Sequence, residues 1–280
     1  MIKNQTSNML VNGALVDQIL VNDRGLQYGD GVFETIKLIQ GKPLLWPAHL
    51  ARLEQGCNRL GIPFDGLFDR IATDVGKILA GSLWSVAILK LVVTRGAGER
   101  GYKPNKEASP TLIVSLSDYL PNESWSQDGV EVRFCRTALG INPLLSGIKH
   151  LNRLEQVLAR SEWGDSTIAE GIMLDIEGNL IEGTMSNLFW VHDHSLFTPE
   201  LDRCGIVGTV RQQLIKLAGQ SGIPVVEGRF SSEVLKQAEE VFVCNSAIDI
   251  CPVIKLAETE WPIGPITRQM QAQLKEVYAC

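Results

Sequence analysis

A polar stretch in the middle of the chain, 118-DYLPNESWSQDG-129, is the feature that most constrains the fold. It carries Pro121 and Gly129 and separates two runs of mixed strand and helix patterns. Such a stretch reads as a linker. The sequence therefore predicts an N-terminal domain over 1–118, an interdomain linker over 119–129 and a C-terminal domain over 130–280. With 280 residues, 45% of them hydrophobic, each half has apolar material for its own core.

In the first half, 9-MLVNGALV-16 sets Asn12-Gly13 between apolar residues and predicts a hairpin with a type I′ turn. A strand is predicted over 32–41. A helix follows with Pro47 in its first turn. Its apolar stripe is Leu50, Leu53, Cys57 and Leu60, and Gly61 stops it. Arg52 and Arg59 are expected to point off that stripe. A helix over 64–80 and strands over 84–94 and 111–118 complete the half. The second half predicts a strand over 130–137, a Gly/Pro loop over 140–148 and a helix from 149 to 162. Strands are expected within 168–198. Then come a helix over 208–220, a strand over 223–228, a short helix over 231–238, strands over 240–245 and 251–255, and a helix over 266–278. Both halves are mixed, α+β or α/β.

The net charge is −6 with no basic run, which argues against nucleic acid as a partner. Cys57, Cys135, Cys204, Cys244, Cys251 and Cys280 form no C-x-x-C pair and read as buried thiols of a reducing compartment. His192 and His194 lack accompanying ligands and read as a surface turn, so no metal site is expected. Residues 1–10 lack a signal-peptide core, and the longest apolar run, 86-VAILKLVV-93, is strand length. The expectation is a cytoplasmic protein outside the membrane.

Residues 96-GAGERG-101 match the dinucleotide pattern G-x-G-x-x-G. Such a site needs a helix to open at the glycines. Tyr102, Lys103 and Pro104 come next, so a loop bearing Arg95, Arg100 and Tyr102 is the better reading, with donors suited to a carboxylate-bearing substrate. In 204-CGIVGTVRQQLIKLA-218 a glycine turn enters an amphipathic helix. The N–H groups of Thr209 and Val210 at its start would suit an anion. Ser246, in the turn 245-NSAID-249, could add a hydroxyl.

Lys149 follows 146-SGI-148, where a lysine is ordinarily a solvated first-turn residue. Glu182 lies between apolar strands, where an acid is ordinarily an exposed turn residue. Taken together, a lysine, a carboxylate and an anion cradle are what pyridoxal phosphate requires: an amine for its aldehyde, a partner for its pyridine nitrogen and a phosphate site.

From 23-DRGLQYGDGVFET-35 to 242-FVCNSAIDICPV-253 the chain resembles the fold-type IV pyridoxal-phosphate enzymes, the class of branched-chain and D-amino acid aminotransferases. The class signature is matched by Glu182, Asn187-Leu188-Phe189, Leu196-Phe197-Thr198 and 206-IVGTVR-211. Thr209 departs from it, standing where an aliphatic residue is usual. Within the class the chain resembles the aminodeoxychorismate lyases, through 147-GIKHLNRLEQVLAR-160 and 95-RGAGERGY-102. Leu154 occupies a position where the aminotransferases more often carry tyrosine. The segment 28-YGDGVFE-34 is shared with D-amino acid aminotransferases and does not discriminate.

The resemblance implies a two-domain fold of the D-amino acid aminotransferase type with pyridoxal 5'-phosphate as cofactor. Lys149 would form the Schiff base and act as base and proton donor. Glu182 would hold the pyridine nitrogen. Arg52 would reach the phosphate as a charged fork, with the phosphate site completed by Gly208, Thr209, Val210 and Ser246 and supported by Asn187. Tyr28, Thr35, Arg100, Tyr102, Ala247 and Ile248 would face the substrate, 4-amino-4-deoxychorismate, which yields 4-aminobenzoate and pyruvate for folate synthesis. Homodimers are implied as well. An aminotransferase acting on D-amino or branched-chain amino acids is the alternative reading. A non-enzymatic small-molecule binder would keep Lys149 and Glu182 for no chemical reason.

Overall fold

A computed structural model describes residues 8–82, 84–105 and 107–279. The readings of residues 1–7 and of Cys280 lie outside these. By contacts the chain forms two compact units, Met1–Leu120 with Ile148–Asn152, and Pro121–Gly147 with Arg153–Cys280.

The first unit comprises β1 (Met9–Val11), α1 (Arg24–Tyr28), β2 (Gly31–Ile39), β3 (Lys42–Pro43), α2 (Trp46–Leu60), α3 (Leu67–Leu79), β4 (Val86–Thr94) and β5 (Thr111–Asp118). Its sheet runs β1-β5-β4-β2-β3, all antiparallel. Along β2, Val32, Ile36 and Leu38 alternate onto one buried face. Leu53 and Cys57 of α2 and Ile71 and Val75 of α3 pack into the same core. Pro47 opens α2, and Gly61 closes it at φ 64°, donating to the carbonyls of Cys57 and Asn58.

Asn12 and Gly13 do form a turn with positive φ, 49° and 80°. The expected second hairpin arm is absent, and Leu15 and Val16 are exposed. β1 pairs instead with β5, Val11 opposite Ile113. The Asn12 side chain secures that pairing by accepting from the Leu112 N–H at 2.9 Å.

The second unit comprises α4 (Glu123–Gln127), β6 (Val130–Phe134), α5 (Leu154–Arg160), β7 (Ile168–Leu174), β8 (Leu180–Gly183), β9 (Asn187–His192), β10 (Ser195–Pro199), α6 (Thr209–Gln220), β11 (Val225–Gly228), a 3₁₀ turn (Ser232–Gln237), β12 (Glu240–Asn245), β13 (Asp249–Leu256), β14 (Thr259–Glu260) and α7 (Pro265–Ala279). The ladder runs β9-β12-β13-β6-β7-β8, and β8 pairs back onto β9, so the sheet closes as a barrel. β10 and β11 extend it from β9, and β14 pairs with β13. Leu188, Trp190, Val241, Val243 and Val253 fill one core. A second, with Leu139, Met173 and Ile181, lies on the other side of the strands.

One sequence expectation is corrected here, and the linker stretch gains an element. The linker stretch holds α4, which packs with β13. The helix expected from 149 begins only at Leu154. Residues 149–151 are extended because β3 covers only the Leu38–Ile39 end of β2. The other end offers a ladder edge: Phe33 N–H donates to the Lys149 carbonyl, Leu151 N–H donates to that of Gly31, both at 2.9 Å, and Val32 bridges His150. Those backbone groups are then spent on the sheet instead of on a helical turn.

Among the described residues no helix is long and apolar enough to cross a membrane, and no group of three or more His, Cys, Asp or Glu could hold a metal. Cys57, Cys135, Cys204, Cys244 and Cys251 are buried. Burial pushes the Cys57, Cys135 and Cys204 thiols up to about 12, which makes them inert.

Candidate active site

In the first unit, the backbone of Lys149 and Leu151 bonds to the edge of β2. Ile148 and His150 are buried, and Lys149 between them is half-buried. Its Nζ stands 4.3 Å from the centroid of the Phe33 ring. Lys149 is thus held on a strand edge and is not a solvated first-turn lysine.

Arg52 is buried, contrary to its expected position off the stripe of α2. Glu34 explains this. It is fully buried on β2 and takes Arg52 Nε at 2.8 Å and Nη2 at 2.6 Å as a fork, with His49 Nδ1 at 2.6 Å on the same carboxylate. Burial pushes the Glu34 carboxyl up, but Arg52 and His49 more than offset this and hold it at about 2. Burial pushes His49 down against the pull of Glu34, and the Arg52 and Lys149 charges add to that push. A neutral imidazole beside an ionised carboxylate must carry its proton on Nδ1, so His49 donates.

Arg95, expected as a substrate donor, is structural. It forks onto Asp30 at 2.7 and 3.0 Å and donates to the carbonyls of Leu60 and Gly61, both at 2.7 Å. Asp30 also takes Arg24 Nε at 2.9 Å, and Arg24 donates on to the carbonyls of Gly101 and Tyr102. Gly96 in this loop serves close backbone approach, since a Cβ there would lie 2.0 Å from the Ser109 oxygen. No helix follows among the described residues. Tyr102 is exposed and meets Tyr28 edge-on at 5.5 Å. Arg100 is exposed, and Thr35 is half-buried opposite Lys90.

In the second unit, Glu182 is 4% exposed, so it is a buried carboxylate and not a turn residue. It lies opposite Asn187 where β8 meets β9. Glu182 accepts the Ile206 N–H at 2.8 Å, and Asn187 Nδ2 donates to the Ile206 carbonyl at 2.9 Å. That peptide leads into α6, whose N-cap is Gly208. Thr209 and Val210 are buried in its first turn, and Thr209 Oγ1 lies 3.1 Å from Ser246 Oγ. Two further signature residues are structural. Thr198 donates to the Leu188 carbonyl at 2.9 Å, and Arg211 ties α6 to the Pro199 carbonyl and to Glu227.

Ala247 and Ile248 donate their N–H groups to Asn245 Oδ1 at 2.8 and 2.9 Å. Asn245 escaped the sequence reading, as did Glu34, Asp30 and Glu170. His49 and Arg52, three apart on a helix, share a face, and that spacing was the signal for an acid opposite them. Nothing local marked the other three.

The amino-transferase class IV family model matches residues 31–256. The crystal structure of 4-amino-4-deoxychorismate lyase from Pseudomonas aeruginosa superposes with a TM-score of 0.91 at 46% identity, covering 96% of this chain and 98% of that one. An aminodeoxychorismate lyase of Vibrio harveyi is 36% identical over 94% of this chain and 98% of its own length. The branched-chain amino acid aminotransferase of Escherichia coli superposes with a TM-score of 0.85 at 25% identity, covering 97% and 94% of the two chains. The chain belongs to the amino-transferase class IV family and has the mixed, two-unit fold of the fold-type IV enzymes.

Proposed function

We propose that the protein is a pyridoxal-phosphate-dependent 4-amino-4-deoxychorismate lyase. The observation that carries this reading is the 46% identity to a lyase structure over 96% of the chain, against 25% to the aminotransferase structure. The donor set supports it: an amine at Lys149, a buried carboxylate at Glu182, and hydroxyls of Thr209 and Ser246 at the N-terminus of α6. These residues fit pyridoxal phosphate.

When bound, the cofactor supplies an electron sink for the carbon bearing the substrate's amine. Lys149 anchors it through its amine. Glu182, already fixed by the Ile206 N–H, would pair with the pyridine nitrogen and keep it protonated. Gly208, Thr209, Val210 and Ser246 would hold the phosphate; Arg52, implied for the same role, is kept in one orientation by Glu34. The Lys149 amine would remove the proton from the ring carbon that bears the substrate's amine. The ring C–O bond to the enolpyruvyl group would break with its electron pair on the oxygen, and the leaving group would take the proton from Lys149. The ring becomes aromatic, and 4-aminobenzoate and pyruvate leave. Tyr28, Thr35, Arg100 and Tyr102 are the proposed substrate side. A homodimer in the cytoplasm goes with this reading.

The test is incubation of the purified protein with 4-amino-4-deoxychorismate and pyridoxal phosphate, with pyruvate and 4-aminobenzoate both measured. Equal release of the two is expected. Keto acid formed from D- or branched-chain amino acids, without pyruvate from the chorismate, would establish the aminotransferase instead. Borohydride trapping followed by peptide mass mapping should locate the cofactor on Lys149.

A further inference from the structure

The turn from β12 to β13 carries Ser246 and closes on a residue with an uncommon backbone. Asn245 and Asp249 stand opposite each other at the end of the ladder, with residues 246–248 as the loop between them. Asp249 has a φ of 58°, in the left-handed region that glycine enters freely and an L side chain enters at a cost. Short hairpin loops commonly close on a residue of this conformation, and glycine is its ordinary occupant. An aspartate there points to a use for its carboxylate.

That carboxylate is held from the C-terminus. Asp249 Oδ1 accepts the Tyr278 hydroxyl at 3.1 Å. Burial and the neighbouring Asp249 charge push the Tyr278 phenol up, so it stays protonated and donates. Tyr278 lies in the last turn of α7, and α7 is anchored along its length. At its start Glu240 accepts the N–H groups of Ile266 and Thr267 at 3.0 and 2.7 Å. Met270 and Leu274 are buried, and Gln271 Nε2 donates to the Ile250 carbonyl at 3.0 Å. The Tyr278 hydroxyl thus holds the turn from a fixed position. Within the same turn, Ser246 Oγ lies 3.1 Å from Thr209 Oγ1 in the first turn of α6.

We propose that Tyr278 is a positioning residue for the phosphate end: through Asp249 it keeps the turn in the shape that brings Ser246 to the start of α6. Two hydroxyls at the start of a helix suit a phosphate group, and their value depends on both being held at one point. A turn that relaxed at Asp249 would carry Ser246 away from Thr209. The inference rests on the pyridoxal-phosphate reading for the identity of the anion. It adds that α7 governs affinity for that anion from the C-terminus.

The test compares two ligands on the full chain freed of cofactor: pyridoxal phosphate, and pyridoxal, which is the same ring without the phosphate. Affinity is read from quenching of tryptophan fluorescence. Tyr278→Phe keeps the ring and loses the hydroxyl. It should bind pyridoxal phosphate about fivefold more weakly than wild type, the value of one lost hydrogen bond, and bind pyridoxal equally well. A merely structural loss would weaken both ligands alike. Asp249→Gly serves as a second background, since glycine holds a positive φ without help. Adding Tyr278→Phe to it should cost no further affinity. Unchanged pyridoxal phosphate affinity in Tyr278→Phe, an equal loss for the two ligands, or a further loss in the double variant would overturn the proposal. If Tyr278→Phe alone does not fold, the comparison within the Asp249→Gly background decides. Wild type that holds pyridoxal phosphate no more tightly than pyridoxal would remove the phosphate end and the proposal with it. Failure of the lyase reading would show separately, as wild type that prefers pyridoxal phosphate but releases no pyruvate.

Discussion

Glu182 and Asn187 stand directly opposite each other at the point where β8 returns to β9 and the barrel closes. From there both reach the same residue, Glu182 the N–H and Asn187 the carbonyl of Ile206. Barrel closure and the entry into α6 are therefore one structural event. The carboxylate and the start of α6 cannot move independently, because a shift of either residue breaks a hydrogen bond to the Ile206 backbone.

Gly208 sits inside that clamp, and its replacement tests it. A Cβ there would lie 2.0 Å from Asn187 Oδ1, far inside contact distance. Its φ of −68° is ordinary, so the demand for glycine is one of space and not of backbone conformation. Gly208→Ala should push Asn187 off the Ile206 carbonyl and displace the first turn of α6. The expected loss is about 1–3 kcal/mol of stability, as for other overpacked sites, read from urea unfolding. Cofactor affinity should fall with it. A variant as stable as wild type with unchanged affinity would show that the clamp does not position the helix.

Glu182→Gln separates charge from structure. A glutamine can still accept the Ile206 N–H through its amide oxygen, so the fold should hold and the cofactor should still bind. Turnover should fall on the order of a hundredfold, since a neutral amide no longer favours the protonated pyridine nitrogen that would accept the electrons. Steady-state release of 4-aminobenzoate, alongside thermal unfolding of the same preparation, makes the comparison. Unchanged turnover would remove the charge role.

The sequence made the elements legible wherever local rules act. Pro47 and Gly61 bounded α2, and the apolar positions Val210, Leu214 and Leu217 marked α6. It failed where a distant partner decided the conformation. Lys149 lost its expected helix because the edge of β2, more than a hundred residues earlier, took its backbone bonds. Arg52 faced inward because Glu34 awaited it. Lys149 and Glu182, the proposed chemistry-bearing residues, stood out in the sequence only through a multi-part motif. Glu34, which holds Arg52, Asp30, which holds Arg24 and Arg95, and Glu170 and Asn245, which hold turns, carry ordinary local patterns, and only three-dimensional pairing gives them meaning.

Asp30 is one of these. It is shared by Arg24 and Arg95, both nearly buried, and their charges and hydrogen bonds outweigh the upward push of burial to hold its carboxyl below the usual range. Through Arg24 it fixes the backbone at Gly101 and Tyr102. Asp30→Asn leaves two guanidinium groups with a neutral partner. The expected cost is about 3 kcal/mol, the low end for breaking a buried pair. Hydrogen exchange in the 96–105 loop should speed up more than in β4. Uniform acceleration across the unit would instead indicate global destabilisation without a specific loop tether.

The Glu34, His49 and Arg52 group sets the acid limit of the first unit. Glu34 is held at about 2 against an ordinary 4.5, so its contribution is full above 4.5 and is lost as pH falls from there toward 2. A shift of that size is worth on the order of 3 kcal/mol at neutral pH. His49, lowered from 6.5, acts earlier: as pH drops below 6.5 the unfolded chain binds a proton that the buried, neutral imidazole refuses. Stability should thus begin to decline below about pH 6.5 and decline faster below about pH 4.5. Glu34→Gln should lower stability at neutral pH and flatten the second limb, because no carboxylate remains to be protonated there. His49→Gln should flatten the first limb alone. Urea midpoints for the three proteins, measured from about pH 7 to about pH 3, make the comparison. A Glu34→Gln profile parallel to wild type through the lower window would mean that Arg52 does not hold the carboxylate ionised.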